Sequence, residues 1–442
     1  MRAGIRDFSV IFGSRIAAML LSTASQSGLA WWLGLADRGS LAVCMLFATM
    51  LTLACLFGCE VAAQYFVASR RLTVSEGIMN VLIYGGLGCG LAILVGFILL
   101  QMPLSFVAKA NPSAFHLALV MIPLSFFSAT LTNLLTAVSE FTWMAVTNVA
   151  GYGLQLVLLL VLVWYWDLGV NGALLTTLIG SAATIVWVLV LFRRNHGLRW
   201  VWPSWHSIAE MFHYGIKYYV GKISNHVNFQ IGAIILAFFA SKEDIALFVL
   251  ATTLTAQAMM IPDTLTTVLI PRVAVDKTGR RELIAQCSRV ITLLCGTALL
   301  VLAIFARPIV TLLFSPAFAP AIPLVRIVAV GILIRCASKA FVPFLLNTNH
   351  PGIASMSVAA GMATNLVLLW LLLPVMGLAG AAWAMTLGYV VSSFILLQGF
   401  IRISGMAFQD VARFRKSDWL PIVELWQGVR ARMVRQSQGA GG

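Results

Sequence analysis

The sequence predicts an all-α polytopic membrane protein of about twelve transmembrane helices, arranged as two pseudo-symmetric six-helix lobes. Composition is the first reason: 60% of the 442 residues are hydrophobic and 10% charged, with a mean hydropathy of +0.95. Such a chain cannot hide its apolar surface in a water-soluble globule, so most of that surface faces lipid. Apolar runs are the second reason, because they recur along the chain at roughly the 20-residue length that crosses a bilayer. The third is an internal repeat. Leu168-Gly169-Val170-Asn171-Gly172-Ala173 and the residues up to Gly180 return as Met376-Gly377-Leu378-Ala379-Gly380-Ala381 and the residues up to Gly388. Upstream, Ala150-Gly151-Tyr152-Gly153-Leu154-Gln155 lines up with Ala360-Gly361-Met362-Ala363-Thr364-Asn365, and Gln26-Ser27-Gly28 with Gln230-Ile231-Gly232. Paired halves of this kind are characteristic of membrane proteins that open alternately to two sides.

In order, the first-half spans fall at 8–34, 40–67, 78–101, 114–138, 143–165 and 171–192. The second-half spans fall at 210–240, 245–271, 284–313, 322–346, 352–374 and 379–401. The first run follows a charged start, as a secretory signal would. It continues to about Ala36 and has a counterpart in the second half, so it is read as a retained span. The seventh and ninth runs are long enough to tilt or break. Domains follow as an N-terminal lobe (1–200), a C-terminal lobe (201–405) and a basic tail (406–442), read as an interfacial helix followed by disorder. Between the lobes lies the segment from His196 to Trp205, whose Trp200, Trp202 and Trp205 suit the headgroup layer.

Orientation follows the lysines and arginines. With both termini cytoplasmic, the inner side collects Arg2, Arg6, Arg70, Arg71, Arg193, Arg194, Arg199, Arg272, Lys277, Arg280, Arg281, Arg289 and most of the tail, whereas Arg38, Lys109 and Lys242 fall outside. The formal net charge of +14 is thus a topology signal, and nucleic acid is not an expected partner. All seven cysteines lie in or beside apolar segments and read as packing residues; no metal site or cofactor is expected. Loops of no more than about twenty residues leave no room for a soluble catalytic domain, and no catalytic constellation can be assembled.

Ionisable residues inside spans are costly, about 2.5–3.5 kcal/mol each on insertion scales, so each is a site candidate. Arg15, Lys217, Lys222, Arg335 and Lys339 stand against Glu60 and Asp263. This excess of positive charge predicts a hydrated cavity built for an anion. In the seventh span Lys217, Gly221, Asn225, Asn228 and Gly232 recur at helical spacing on one face, the alternative being a small-residue seam with snorkelling lysines. Arg335 and Lys339 lie one turn apart, and two like charges there call for an anion or water between them. Glu60 and Asp263 match the depth of Arg15 and Lys222, as buried ion pairs or as protonatable coupling groups. Asn148, Tyr152 and Gln155 share a face suited to hydrogen bonds with sugar hydroxyls or to inter-helix contacts; Asn133, Asn347 and Asn365 add further polar points.

Leu33-Gly34-Leu35-Ala36-Asp37-Arg38-Gly39, Leu313-Phe314-Ser315-Pro316-Ala317-Phe318 and the Gly169 and Gly377 phrases carry a family resemblance over about 1–405. The chain resembles the polysaccharide-type flippases, the O-antigen and exopolysaccharide repeat-unit translocases of the multidrug/oligosaccharidyl-lipid/polysaccharide (MOP) exporter superfamily. The resemblance implies a twelve-helix fold with a cationic lumen and an undecaprenyl-pyrophosphate-linked oligosaccharide as cargo. It places the protein in a bacterial inner membrane, alongside membrane lipids, a polysaccharide polymerase and glycosyltransferases of lipopolysaccharide or exopolysaccharide assembly. On this reading Lys222, Arg335 and Lys339, with Lys217 and Arg15, hold the pyrophosphate. The alternatives are a multidrug/cation antiporter of the same superfamily, which calls for acidic residues in the cavity; a membrane glycosyltransferase, polymerase or ligase, which calls for a sizeable outer loop; and a non-transporting scaffold.

Overall fold

The structure, a computed structural model, describes residues 2–202, 204–265 and 280–414, without the side chains of 2–12, 218, 220–225, 227, 228 and 280. The described residues are overwhelmingly helical and include no strand. The first half contains α1 (Arg2–Cys55), α2 (Cys59–Ala68), α3 (Val74–Gln101), α4 (Pro112–Ala137), α5 (Phe141–Leu159) and α6 (Gly169–His196).

 The 3-10 turn Val107–Lys109 joins α3 to α4. The second half contains α7 (Trp205–Phe239), α8 (Lys242–Ala256, continuing through a 3-10 turn to Leu265), α9 (Arg280–Ile304), α10 (Ala306–Leu313), α11 (Ala321–Lys339), α12 (Phe341–Asn347), α13 (Pro351–Ser404) and α14 (Phe408–Ala412).

Nine of the described helices are long and apolar enough to cross a membrane. The expected twelve spans map onto nine because α1 and α13, each of 54 residues, run through two expected spans apiece, and because the described part of α7 contributes only the shorter apolar stretch Phe229–Phe239. Both α1 and α13 bend instead of breaking into a loop. The bends fall at Gly34 (φ 70°, ψ −177°) and Gly377 (φ 56°, ψ −136°), conformations open essentially to glycine alone. Gly169 at the start of α6 also has a positive φ, 55°. The phrase repeated in the sequence therefore marks a repeated backbone reversal.

The expected span 40–67 is interrupted. Phe57 (φ 44°) and Gly58 (φ 73°) separate α1 from α2, and a Cβ on Gly58 would lie 2.5 Å from the Gly215 carbonyl oxygen of α7. Only bare backbone fits at this crossing. A break at membrane depth exposes carbonyls that lipid cannot satisfy. Tyr84 Oη donates to Phe57 O at 2.8 Å, while Tyr219 Oη donates to Leu53 O at 2.7 Å and lies 3.0 Å from Ala54 O. These phenols supply the missing partners. The expected span 284–313 likewise divides, between α9 and α10.

The chain forms two compact units: Met1–Leu254 with Phe305–Val325 and Leu373–Ala382, and Thr255–Ile304 with Arg326–Leu372 and Trp383–Gly442. In the first, Phe47, Phe106 and Phe115 pack with ring centroids 5.5–6.1 Å apart. Lys109 Nζ donates to the carbonyls of Ala237 and Ala240 at the end of α7, at 2.6 and 2.5 Å, and its partial burial lowers its pKa from the ordinary lysine value. In the second, Ile284, Phe341, Phe344, Leu345, Leu396 and Phe400 form a core that also buries Val411 of α14. The nearly buried Arg289 donates to Asp410 O at 2.7 Å and to Glu282 Oε1 at 3.1 Å. The first turn of the expected tail is thus docked on protein; residues 415–442 lie outside the described residues.

Candidate functional site

Two of the five expected anion-binding side chains lie on α11 of the second unit. Its sequence allows close packing against the latter part of α13: a Cβ on Gly331 would meet Thr386 at 2.9 Å, and Ser338 Oγ lies 2.8 Å from Ser393 Oγ. Small residues let the helices approach, and the hydroxyl pair joins them. This contact carries Tyr389, 1% exposed, beneath Arg335. The Arg335 guanidinium carbon lies 4.7 Å from the ring centroid, a cation–π geometry. One turn on, Lys339 Nζ forms a salt bridge with Asp263 Oδ1.

The expected repulsion between Arg335 and Lys339 is therefore relieved by protein groups: the Asp263 carboxylate engages Lys339, and an aromatic face receives Arg335. Lys339 and Asp263 side chains are 32% and 47% exposed, so the pair sits at an accessible surface of its unit. Tyr389 was missed in the sequence because a tyrosine in an apolar span reads as packing. Its position in the span after the repeated phrase gave no sign that it faced Arg335.

In the first unit Arg15 on α1 and Glu60 in the first turn of α2 are half-buried, and Lys217 on α7 is exposed. The α7 backbone is helical through Lys222, Asn225 and Asn228, but these three side chains lie outside the described residues. Among the described residues no cluster of His, Cys, Asp or Glu could hold a metal ion.

The first unit also contains an open cavity of about 380 Å³ lined by α4, α5 and α6. Asn148, Tyr152 and Gln155, predicted to share a face, line it together with Asn133. Ser128, Thr132, Ser181 and Thr184 also line it and were missed. Their signal was legible at helical spacing, in Ser128 and Thr132 on α4 and in Thr177, Ser181 and Thr184 on α6, but hydroxyl residues in spans commonly bond back to their own helix. Thr132 and Thr184 do so here, at 2.8 and 2.9 Å to the carbonyls of Ser128 and Gly180.

The family model described as "Polysaccharide biosynthesis protein" matches residues 5–275, more than half of the chain. The chain belongs to the polysaccharide biosynthesis protein family. Its fold is shared with solved transporters. It is similar to the lipid II flippase MurJ in an inward closed conformation, with a TM-score of 0.71 at 11% identity over 97% of this chain and 98% of that one. It is also similar to an inward-facing MATE-family multidrug resistance transporter of the MOP superfamily, with a TM-score of 0.69 at 16% identity over 88% and 98%. A MOP-superfamily transporter from Pyrococcus furiosus, described as having a binding pocket of reverse polarity, gives a TM-score of 0.61 at 14% identity over 90% and 96%. No curated protein matches the chain. This polysaccharide biosynthesis protein therefore has the MOP transporter fold, in agreement with the resemblance read from its sequence.

Proposed function

We propose that the protein is a flippase that carries an undecaprenyl-pyrophosphate-linked oligosaccharide repeat unit across a bacterial inner membrane by alternating access, for surface polysaccharide synthesis. The observation that carries this reading is the sign of charge inside the spans: Arg15, Lys217, Lys222, Arg335 and Lys339 against Glu60 and Asp263. A pyrophosphate headgroup is the anion such a set matches, and the family and the shared flippase fold support it. In this reading residues 1–200 and 201–405 act as the two lobes, both termini are cytoplasmic, and the polyprenyl tail stays in lipid while the sugars cross. Arg335 and Lys222 are the principal phosphate ligands. Lys339 is shared between cargo and Asp263, and Lys217, Arg15, Asn225 and Asn228 extend the polar path.

Energetics favour export. Moving two negative charges outward against an interior-negative potential releases about 4–5 kcal/mol at 100 mV. A proton or sodium ion exchanged at Glu60 or Asp263 is the alternative drive. A protein acting this way needs no catalytic residue or cofactor; the polymerase and glycosyltransferases would act before and after it.

The second reading, a multidrug/cation antiporter, is favoured by the fold shared with a MATE transporter and by an acidic group, Asp263, exposed on its unit. Proteoliposomes distinguish the two. The flippase reading expects an undecaprenyl-pyrophosphate oligosaccharide to change leaflet and organic cations to stay put. Cation movement driven by a proton or sodium gradient, with a static lipid-linked glycan, would overturn it.

A further inference from the structure

We propose that the cavity between α4, α5 and α6 is a glycan-binding subsite that takes uncharged sugar residues of the cargo. The proposal rests on the flippase reading above and deepens it: the basic residues hold the phosphates, and this pocket reads the sugars.

The lining chemistry is the first argument. Asn133, Asn148, Gln155, Tyr152, Ser181, Ser128, Thr132 and Thr184 present amides, hydroxyls and a phenol, and no charged residue lines the cavity. Sugar hydroxyls both donate and accept, so they are matched by groups that do the same, whereas an organic cation or a phosphate calls for formal charge. Among the described residues the side chains of Asn133, Asn148, Tyr152, Gln155 and Ser181 make no hydrogen bond to protein. Amides held in two apolar spans without protein partners are set to bond something that enters. The volume falls in the roughly 300–1,000 Å³ range of small-ligand pockets.

Comparison of the two halves supplies the second argument. In the second unit the equivalents of Gly151 and Gly180 are Gly361 and Gly388, and they touch: a Cβ on either would lie 2.8 Å from the other's carbonyl oxygen. Ser392, equivalent to Thr184, would lie 2.8 Å from the same Gly361 Cβ. That helix pair is closed. In the first unit a Cβ on Gly151 would meet only Thr184 Oγ1, at 3.8 Å, and one on Gly180 would meet nothing within 4 Å. The same pair stands apart there, and the gap is the cavity.

Side chains changed with the spacing. Where the first half has Asn148, Tyr152 and Gln155, the closed half has Val358, Met362 and Asn365, the last of these 1% exposed. Polarity thus accompanies the opening at the first two of these positions, while the third is an amide in both halves. Mere packing of duplicated helices gives no reason for the open copy alone to gain an amide and a phenol at the first two of these positions. A hydroxyl-rich ligand does.

The test measures binding to the full-length protein in nanodiscs. The probes are bare undecaprenyl pyrophosphate and a panel of undecaprenyl-pyrophosphate disaccharides built from hexoses and N-acetylhexosamines. Wild type should bind at least one glycosylated probe tenfold or more tighter than the bare lipid. Asn148→Val with Tyr152→Met, which installs the residues of the closed half, should erase that preference and leave bare-lipid affinity unchanged. Gly180→Leu fills the cavity from a position with open space and should do the same without removing a polar group. Preference retained in both variants, or absent from wild type while the bare lipid still binds, overturns the sugar subsite and leaves the flippase reading standing. Failure of wild type to bind any of the probes overturns both.

Discussion

Replacing Tyr389 separates what holds Arg335 from what merely fills space. The guanidinium lies 4.7 Å from the ring centroid; the ring is 1% exposed and Arg335 itself is half-buried, so the contact is partly shielded from water. Cation–π pairs span about 0.5–1 kcal/mol when exposed to about 2 when desolvated, which places this one between the two. Tyr389→Leu removes it. If Arg335 must be held in one posture to grip a pyrophosphate, about 1–2 kcal/mol of lost positioning weakens binding roughly 5- to 30-fold. Tyr389→Phe keeps the ring and removes a hydroxyl that has no hydrogen-bond partner among the described residues. That substitution should leave binding intact and raise stability by up to about 1 kcal/mol, since an unpaired buried hydroxyl is unfavourable. The assay is affinity for undecaprenyl pyrophosphate in nanodiscs, with thermal unfolding in parallel. Equal damage from Phe and Leu, or normal binding with Leu, would refute the positioning argument.

Other consequences are as specific. Gly34→Ala and Gly377→Ala force a Cβ into glycine-only backbone and should each lower stability by about 1–3 kcal/mol, whereas Gly90→Ala, inside α3 with open space around it, should not lower it in the same unfolding assay. Breaking the Lys339–Asp263 pair by Lys339→Ala should cost about 0.5–2 kcal/mol, below the range for fully buried pairs because both side chains are partly exposed. The exchange Lys339→Asp with Asp263→Lys should recover most of that stability, and a double-mutant cycle with no coupling would dismiss the pair. Collapsing an inside-negative potential should slow outward movement of a doubly charged lipid in proteoliposomes; an unchanged rate with an abolished pH gradient dependence would point to proton exchange at Glu60 or Asp263.

Fold class was legible because apolar length and positive charge are one-dimensional signals. The repeat was legible too, and Gly169 and Gly377 show why: both positions need a positive φ, so glycine recurs wherever the reversal recurs. Continuity across Gly34 was not legible, since a glycine followed by Ala36-Asp37-Arg38-Gly39 has the composition of a loop. Nor was the break at Phe57 and Gly58, which arises from Gly215, distant in sequence, approaching the backbone. Asn148, Tyr152 and Gln155 were placed on one face by helical spacing alone. That their helix stands apart from α6 while Gly361 and Gly388 close the equivalent gap is a property of tertiary packing. Arg335 and Lys339 were found by the cost of charge in a span; Tyr389 and the pairing of Asp263 with Lys339 depend on how helices far apart in sequence meet.

The most direct measurement follows a fluorescently traced undecaprenyl-pyrophosphate oligosaccharide between leaflets of proteoliposomes containing the wild-type protein or the Lys222→Ala, Arg335→Ala variant. Wild type should equilibrate the lipid rapidly, and the folded variant at a rate near that of empty liposomes. Equal rates in wild-type and empty vesicles, or full activity without those two cations, would contradict the flippase reading.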